Sequence, residues 1–503
     1  MDEKLKVCLL NDSFPPTIDG VSNTVFNYAS IIQDKLGEAV VATPKYPNVE
    51  DDYDFEVVRY ASFDTTGIIG YRAGYPFEPS VLGELESKNV DIIHTHCPAV
   101  SAILARTLRE RADVPIVFTY HTKFDIDIKK ALKSNLLQEA SIKVIVNNIE
   151  ACDEVWVVSE GAGENLRSLG YKGDYIVMEN GVDFPRGKAD SGLVKSIREE
   201  AGIKEGVPVF LFVGRLMWYK GFKITLDALK EVKESGLDFC MVIVGDGGDA
   251  REIKEYAAQN GIDDNCVFVG AVQDRELLRG YYTMADMFLF PTTYDTNGIV
   301  VREAAACGLG SVLIKGSCAA EGIEDRRNGY LIDENAPSMA EAVKELIANI
   351  DLAHKIGENA MNEIYIPWDE SVRKAYERYK AVIAKYKSPE YERNTTFTDD
   401  ALNSIAGICD ALNKARKFRE SVTNGFIDRS LAISGALIEK KNSGISYAGT
   451  HLENIKNGFA VKKAVFEKEM EERKSMLAER HSWLKLRHRK MRMQFWEYFD
   501  RYL

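Results

Sequence analysis

The segment Phe288-Leu-Phe-Pro-Thr-Thr-Tyr-Asp-Thr-Asn-Gly-Ile-Val-Val-Arg-Glu-Ala-Ala-Ala-Cys-Gly308 holds in one piece the unit from which the chain is built. A short apolar strand ends at Pro291, a polar loop carries Asn297-Gly298, and a helix is predicted from about Ile299. Strand, loop and helix in that order form half of a βαβ crossover. The first amides of such a helix lack partners within it. They point, with the positive end of the helix dipole, at whatever sits above the strand ends, so an anion is favoured there. Asp295 in the loop and Glu303 about one turn into the helix can reach different hydroxyls of one bound molecule. Read singly, they are an acidic loop residue and an ordinary helix glutamate. Ala304, Ala305, Ala306 and Gly308 argue for close packing of this helix rather than a place on the surface.

The same alternation extends outward. Strand-like runs occupy Lys6–Leu10, Ala39–Thr43, Val90–His94, Pro115–Tyr120, Glu154–Ser159 and Tyr175–Met178, with helical periodicity between them at Ser22–Lys35 and Ala99–Arg111. A break at Asn180–Gly202 is followed by further runs at Val207–Val213, Phe239–Val244, Asn265–Val269, Met287–Phe290 and Gly310–Ile314. This pattern predicts an α/β chain of two doubly wound Rossmann-like domains, residues 1–195 and 196–387, with their strand ends facing across a cleft. From 388 to 503 the strand-like runs stop and a helical C-terminal extension is predicted.

Composition narrows the function. The chain's 503 residues exceed one compact core. A net charge of −13 argues against nucleic-acid binding, which needs a basic footprint. No apolar run is long enough to span a membrane, and MDEKLKVCLL does not read as a signal peptide, so a cytoplasmic protein is expected. The eight cysteines show no CxxC or Cys/His ligand spacing and read as reduced thiols. His94, His96 and Cys97 read as a strand-end loop, and Asp125-Ile-Asp127 follows a histidine rather than a strand. No metal and no cofactor are expected.

Two further segments carry chemistry. Phe212-Val-Gly-Arg-Leu-Met-Trp-Tyr-Lys-Gly221 leaves a buried strand and enters a helix through glycine, with Arg215 and Lys220 five residues apart. A guanidinium fork beside a mobile ammonium suits a diphosphate, although alone the segment fits a solvated loop equally well. In the tail, a basic run contains Arg487, Arg489 and Lys490 and is interleaved with aromatics that include Trp496. Such a composition suits an anionic membrane surface, and equally a helix packed on the protein itself or on a second subunit.

Together these segments resemble the retaining GT-B glycosyltransferases of family 4 over roughly residues 4–385. The matching motifs are Pro16-Thr-Ile-Asp-Gly20, Asp91-Ile-Ile-His-Thr-His96, Tyr120-His-Thr122, Glu179-Asn-Gly-Val-Asp183, the Gly-Arg…Lys-Gly loop, and Asp295…Glu303 as an E-x7-E element. The resemblance implies a nucleotide-sugar donor that is a substrate rather than a cofactor, and a metal-independent reaction. It implies that Arg215 and Lys220 hold the diphosphate and that Glu303 binds the ribose. The amides of Asn297, Gly298 and Ile299 would meet phosphate and sugar, and Asp295 would bind sugar hydroxyls. Gly20 would let its loop approach the donor, with His121 and Asp19 at the reaction centre. Family members usually carry Glu where this chain has Asp295, and the shorter reach leaves the donor sugar open.

Tyr120–Lys130 resembles the acceptor-side segment of diacylglycerol glucosyltransferases and phosphatidylinositol mannosyltransferases, which puts Thr122 and Lys123 on the acceptor side. A plain surface helix is the alternative. The expectation is transfer of a hexose, glucose from a UDP-sugar in the first instance, to a lipid such as diacylglycerol at the inner face of the membrane. A polysaccharide or soluble acceptor, and a non-catalytic GT-B scaffold with a partner-binding tail, are the alternatives. The oligomeric state is left open.

Overall fold

The computed structural model describes residues 4–17, 19–66, 72–125, 128, 132–396, 398–411 and 414. Arg487, Arg489, Lys490, Trp496 and Asp127 lie outside them.

The first sheet has seven parallel strands, β1 (Lys6–Leu10), β2 (Glu38–Pro44), β3 (Glu56–Tyr60), β4 (Ile92–Thr95), β5 (Ile116–Tyr120), β6 (Glu154–Val157) and β7 (Ile176–Val177), in the order β3-β2-β1-β4-β5-β6-β7. Helices α1 (Gly20–Ile31), α2 (Val100–Ala112) and α3 (Asn135–Glu150) are among those that link them. The second sheet has six, β8 (Val209–Val213), β9 (Cys240–Val244), β10 (Cys266–Gly270), β11 (Met287–Phe290), β12 (Ser311–Ile314) and β13 (Tyr330–Ile332), in the order β10-β9-β8-β11-β12-β13. Its helices include α4 (Ser191–Glu200), α5 (Arg275–Met284) and α6 (Ile299–Ala306). Central strands are continuous apolar runs because helices cover both faces, and Val7–Leu10, Val209–Phe212 and Met287–Phe290 are all buried. In each sheet the order reverses beside the first strand, so that β1 lies between β2 and β4, and β8 between β9 and β11. Loops diverge at such switch points and leave a crevice at the strand ends.

The domain boundaries need correction. Helix α4 packs on α5, and Leu193, Val194 and Ile197 join the second core, so the first crossing falls before residue 191 rather than at 195. Helix α7 (Trp368–Tyr386) returns to the first domain. Its Trp368, Val372, Ala375, Tyr376 and Tyr379 pack with Leu5, Val7, Tyr28 and Trp156. The hydroxyl of Tyr376 accepts from the Leu5 amide at 2.7 Å and donates to Leu36 O at 3.0 Å. The second domain therefore ends near Ile364, not at 387.

The extension does not stand apart from residue 388 either. Tyr391 donates to Asp153 Oδ1 (2.9 Å) and Asn394 to Cys152 O (2.8 Å). Arg106, buried in α2, bonds Asp399 Oδ1 through Nε (2.9 Å) and Nη2 (2.6 Å), with Thr396 and Thr398 also accepting from Nη2. A helix over residues 399–411 continues from there. A chain cut after Lys387 strips Arg106 of these partners and leaves a buried charge uncompensated, which costs about 3–5 kcal/mol. Urea unfolding is expected to show that loss, while a chain cut after residue 411 keeps the bonds; equal midpoints for the 387 truncation and the full chain would contradict it.

Candidate functional site

The strand-end loops of the two domains enclose a cleft of about 770 Å³. One wall comprises Asn11–Ser13, the start of α1, His96–Ala99 and His121–Phe124; the other comprises Gly214, Arg215, Lys220, Tyr294–Asn297 and the start of α6. The walls touch. Thr296 Oγ1 donates to His121 O (2.6 Å), Ser159 Oγ to Thr296 O (2.5 Å) and Lys123 Nζ to Thr293 O (3.1 Å). Glu321 accepts the amides of Glu160 (2.7 Å) and Gly161 (2.6 Å) across the same divide.

On the second wall β8 ends at Val213, and Arg215 stands exposed in the cleft with no ion pair among the described residues. A short turn, Trp218–Lys220, ends on Gly221 at φ 86°, where a Cβ would lie 2.0 Å from Pro291 O. Only glycine lets this loop press against the end of β11. The contact delivers Lys220, whose Nζ lies 2.5 Å from Asp295 Oδ2. Helix α6 starts at Gly298 (φ 58°) with no side-chain cap, leaving its first amides without a side-chain acceptor. Beside them Asn297 is buried, and neither Oδ1 nor Nδ2 finds a partner among the described residues. A buried amide with both ends unmet is costly and marks a place for a hydrogen-bonding ligand.

Glu303 departs from expectation. It does not line the cleft. Its Oε1 accepts from Arg275 Nη2 (2.8 Å) and its Oε2 from the Tyr282 hydroxyl (2.9 Å). Burial pushes its carboxyl upward and the Arg275 charge opposes this. Arg275 also reaches Asp183 at 3.4 Å and lies 4.2 Å over the Phe184 ring. Each Glu303 oxygen keeps a lone pair, so hydroxyls can still be received, but in an arrangement set by Arg275 and Tyr282. Sequence reasoning missed both residues, because each looks like an ordinary residue of an amphipathic helix.

The first wall carries a row of histidines. His96 Nδ1 lies 3.0 Å from His121 Nε2, and His94 bonds the Tyr379 hydroxyl (2.6 Å) and Thr119 Oγ1 (2.7 Å). Burial drives His94 and His96 well below 6.5 and His121 to about 3. Burial therefore favours the neutral form of His121. His94 is a satisfied core histidine, whereas His96 and His121 border the cleft.

Asp19 has a structural part that the sequence reading did not include. Its Oδ1 accepts the amides of Val21 (2.9 Å) and Ser22 (2.8 Å), so the carboxylate caps α1 while its residue borders the cleft. Asp12, which the sequence did not single out, does the same for α2 by accepting from Val100 (3.0 Å) and Ser101 (2.7 Å). A Cβ on Gly20 would meet nothing within 4 Å, which leaves open space in front of the loop. Thr122 borders the cleft, and Lys123 is held by Thr293. Among the described residues no group of three His, Cys, Asp or Glu side chains could hold a metal.

Two facing parallel-sheet domains with a cationic loop and an open helix start in their cleft define a GT-B glycosyltransferase. The chain belongs to the family 4 and group 1 glycosyltransferases: Glycosyltransferase Family 4 matches residues 18–186, and Glycosyl transferases group 1 matches 194–363. It is 25% identical to an alpha-monoglucosyldiacylglycerol synthase of Streptococcus pneumoniae over 60% of this chain and 70% of that protein. It is 27% identical to a GDP-mannose-dependent alpha-mannosyltransferase of Corynebacterium glutamicum over 76% of this chain and 90% of the other. Among solved structures, Anabaena HepE in complex with UDP aligns at TM-score 0.59 and 18% identity, over 75% of this chain and all of that one.

The histidines give a pH signature. Their folded values lie below the ordinary 6.5, so the unfolded chain binds protons that the folded one does not. Their contribution to stability is full above pH 6.5 and is lost progressively as pH drops below it and the buried imidazoles are forced to take protons. His121→Gln is expected to lower the slope of that loss by one proton in urea unfolding series; an unchanged slope would contradict it.

Proposed function

We propose that the chain transfers a hexosyl group, with retention, from a nucleoside-diphosphate sugar to a lipid hydroxyl, with UDP-glucose and diacylglycerol as the first pair to test. The observation that carries this reading is the opposition of two walls. Arg215, the Lys220–Asp295 pair and the unpartnered Asn297 amide stand on one, and apolar Pro98, Phe124, Ile128 and Ile145 on the other. The relatives in Streptococcus pneumoniae and Acholeplasma laidlawii named alpha-monoglucosyldiacylglycerol synthases support the lipid, and the UDP-bound HepE structure supports the donor. Helix α3, which supplies Ile145, also exposes Leu136, Leu137 and Val144, with Lys143 beside them in sequence. Exposed apolar side chains of this kind suit contact with a membrane surface. The basic and aromatic tail around Arg487, Arg489, Lys490 and Trp496 has a matching composition.

Arg215, Lys220 and the first amides of α6 neutralise charge on the departing diphosphate. Asp295 turns from Lys220 to a sugar hydroxyl once the diphosphate takes the ammonium. Among the acids and bases in the cleft, Asp12 and Asp19 already serve as helix caps, Asp295 is given to the sugar, and burial makes His121 a weak base. The acceptor proton therefore passes to the leaving phosphate oxygen as the acceptor oxygen bonds the anomeric carbon on the same face.

Lys220→Ala is expected to lower kcat/KM about 100-fold or more with an unchanged melting curve, and Glu303→Ala to lower kcat/KM similarly while also lowering the melting temperature, because Arg275 and the buried Tyr282 hydroxyl lose their acceptor. Near-normal values would remove the donor-site reading. Incubation of a donor panel with diacylglycerol in phosphatidylglycerol vesicles, read by mass spectrometry and NMR, is expected to give an α-linked glycolipid. A β-linked product, or transfer to soluble sugars instead, would overturn the corresponding part of the reading. Activity is expected to persist in EDTA; loss restored by Mg²⁺ would point instead to Asp125 and Asp127.

A further inference from the structure

The hydrogen bonds that begin in the C-terminal extension continue past Arg106 to the cleft. Asp399 accepts from Arg106, Arg106 Nη1 donates to Asn148 Oδ1 (2.7 Å), and Asn148 Nδ2 donates to Pro98 O (2.8 Å). All three side chains are buried, and Pro98 lines the cleft. The geometry points to Asp399 as a positioning residue for the acceptor wall, acting on the His96–Ala99 segment through Arg106 and Asn148. This assignment rests on the proposed function only in calling that wall the acceptor side.

The direction of the relay follows from donor and acceptor inventory. Arg106 can only donate, so it fixes Asn148 with Oδ1 toward the guanidinium, and Nδ2 is left to face Pro98 O. Asp399 holds the guanidinium in that pose through two nitrogens, and Thr398 accepts from both Arg106 and Asn147 (2.8 Å). The extension thus ties α2 to α3, which also supplies Ile145 to the same wall. The segment is gripped at its other end by Asp12, which holds the amides of Val100 and Ser101. Removing the Asp399 charge frees Arg106 to compete for other acceptors, and Asn148 is then no longer bound to one orientation. Neither family match extends past residue 363, so the relay starts in a part of the chain that those families do not describe.

The test uses the full chain carrying Asp399→Asn, Asn148→Ala or, as the conservative control, Asp399→Glu. Hydrogen–deuterium exchange in a peptide spanning residues 96–104 is expected to quicken about tenfold in the first two and less in the third, with residues 296–303 unchanged. Calorimetric UDP binding is expected to be preserved, which reports an intact donor wall. KM for diacylglycerol in phosphatidylglycerol vesicles is expected to rise about tenfold, with slow UDP-glucose hydrolysis unaltered. Unchanged exchange at 96–104 in both variants, or equal quickening of both walls with lost UDP binding, would overturn the relay. If the wild-type chain does not glycosylate diacylglycerol, the proposed acceptor is wrong, and the exchange data still decide the inference.

Discussion

Helix α7 folds back onto the first sheet, and the rest of the architecture depends on that return. Trp368, Tyr376 and Tyr379 fill the first core, so the chain must cross between the domains twice, near residues 181 and 367. The crossings lie against each other: Val182 pairs with Pro367, and a Cβ on Gly181 would come within 2.4 Å of the Trp368 backbone. Two adjacent tethers leave relative rotation about one region as the natural motion, which is how a cleft between strand ends opens without shearing its walls.

The wall of the cleft that carries Arg215 and Lys220 opposes the charge of the molecule, while Asp12 and Asp19 stand on the other wall. The chain carries −13 overall, yet Arg215 and Lys220 face the donor wall, and Asp295 offsets only Lys220. An arriving diphosphate therefore meets a local cationic site inside an acidic protein, where low-dielectric walls strengthen the attraction. Gly221 is the backbone condition for this arrangement, since any side chain there would push Lys220 away from Asp295.

Legibility in the sequence followed burial. Lys6–Leu10 and Met287–Phe290 were readable to the residue, because strands covered on both faces are uninterrupted apolar runs. Edge strands Glu56–Tyr60 and Tyr330–Ile332 were not readable, one broken by charges and the other only three residues long. Arg215, Lys220, Asp295 and Asn297, singled out from a local loop and helix-start pattern, do come together at the cleft. The partners of Glu303 were not, since Arg275 lies 28 residues away and meets it only after folding. The capping part of Asp19 was not read, because a cap and a reacting carboxylate look alike before the helix is drawn. Arg106 did leave a signal: like Arg109, it is a cation on the buried side of Val100–Ala112, and such cations call for buried acceptors elsewhere in the chain.

The contact between Glu321 and the amides of Glu160 and Gly161 gives the cleft an intrinsic preference. Those amides open the helix Glu160–Ser168 of the first domain, and the carboxylate that receives them belongs to the second. Separating the walls strips a helix start of its anion, at a cost of about 1 kcal/mol that salt in the medium diminishes. That contact therefore favours the shut arrangement before any donor arrives, and rising ionic strength weakens the preference.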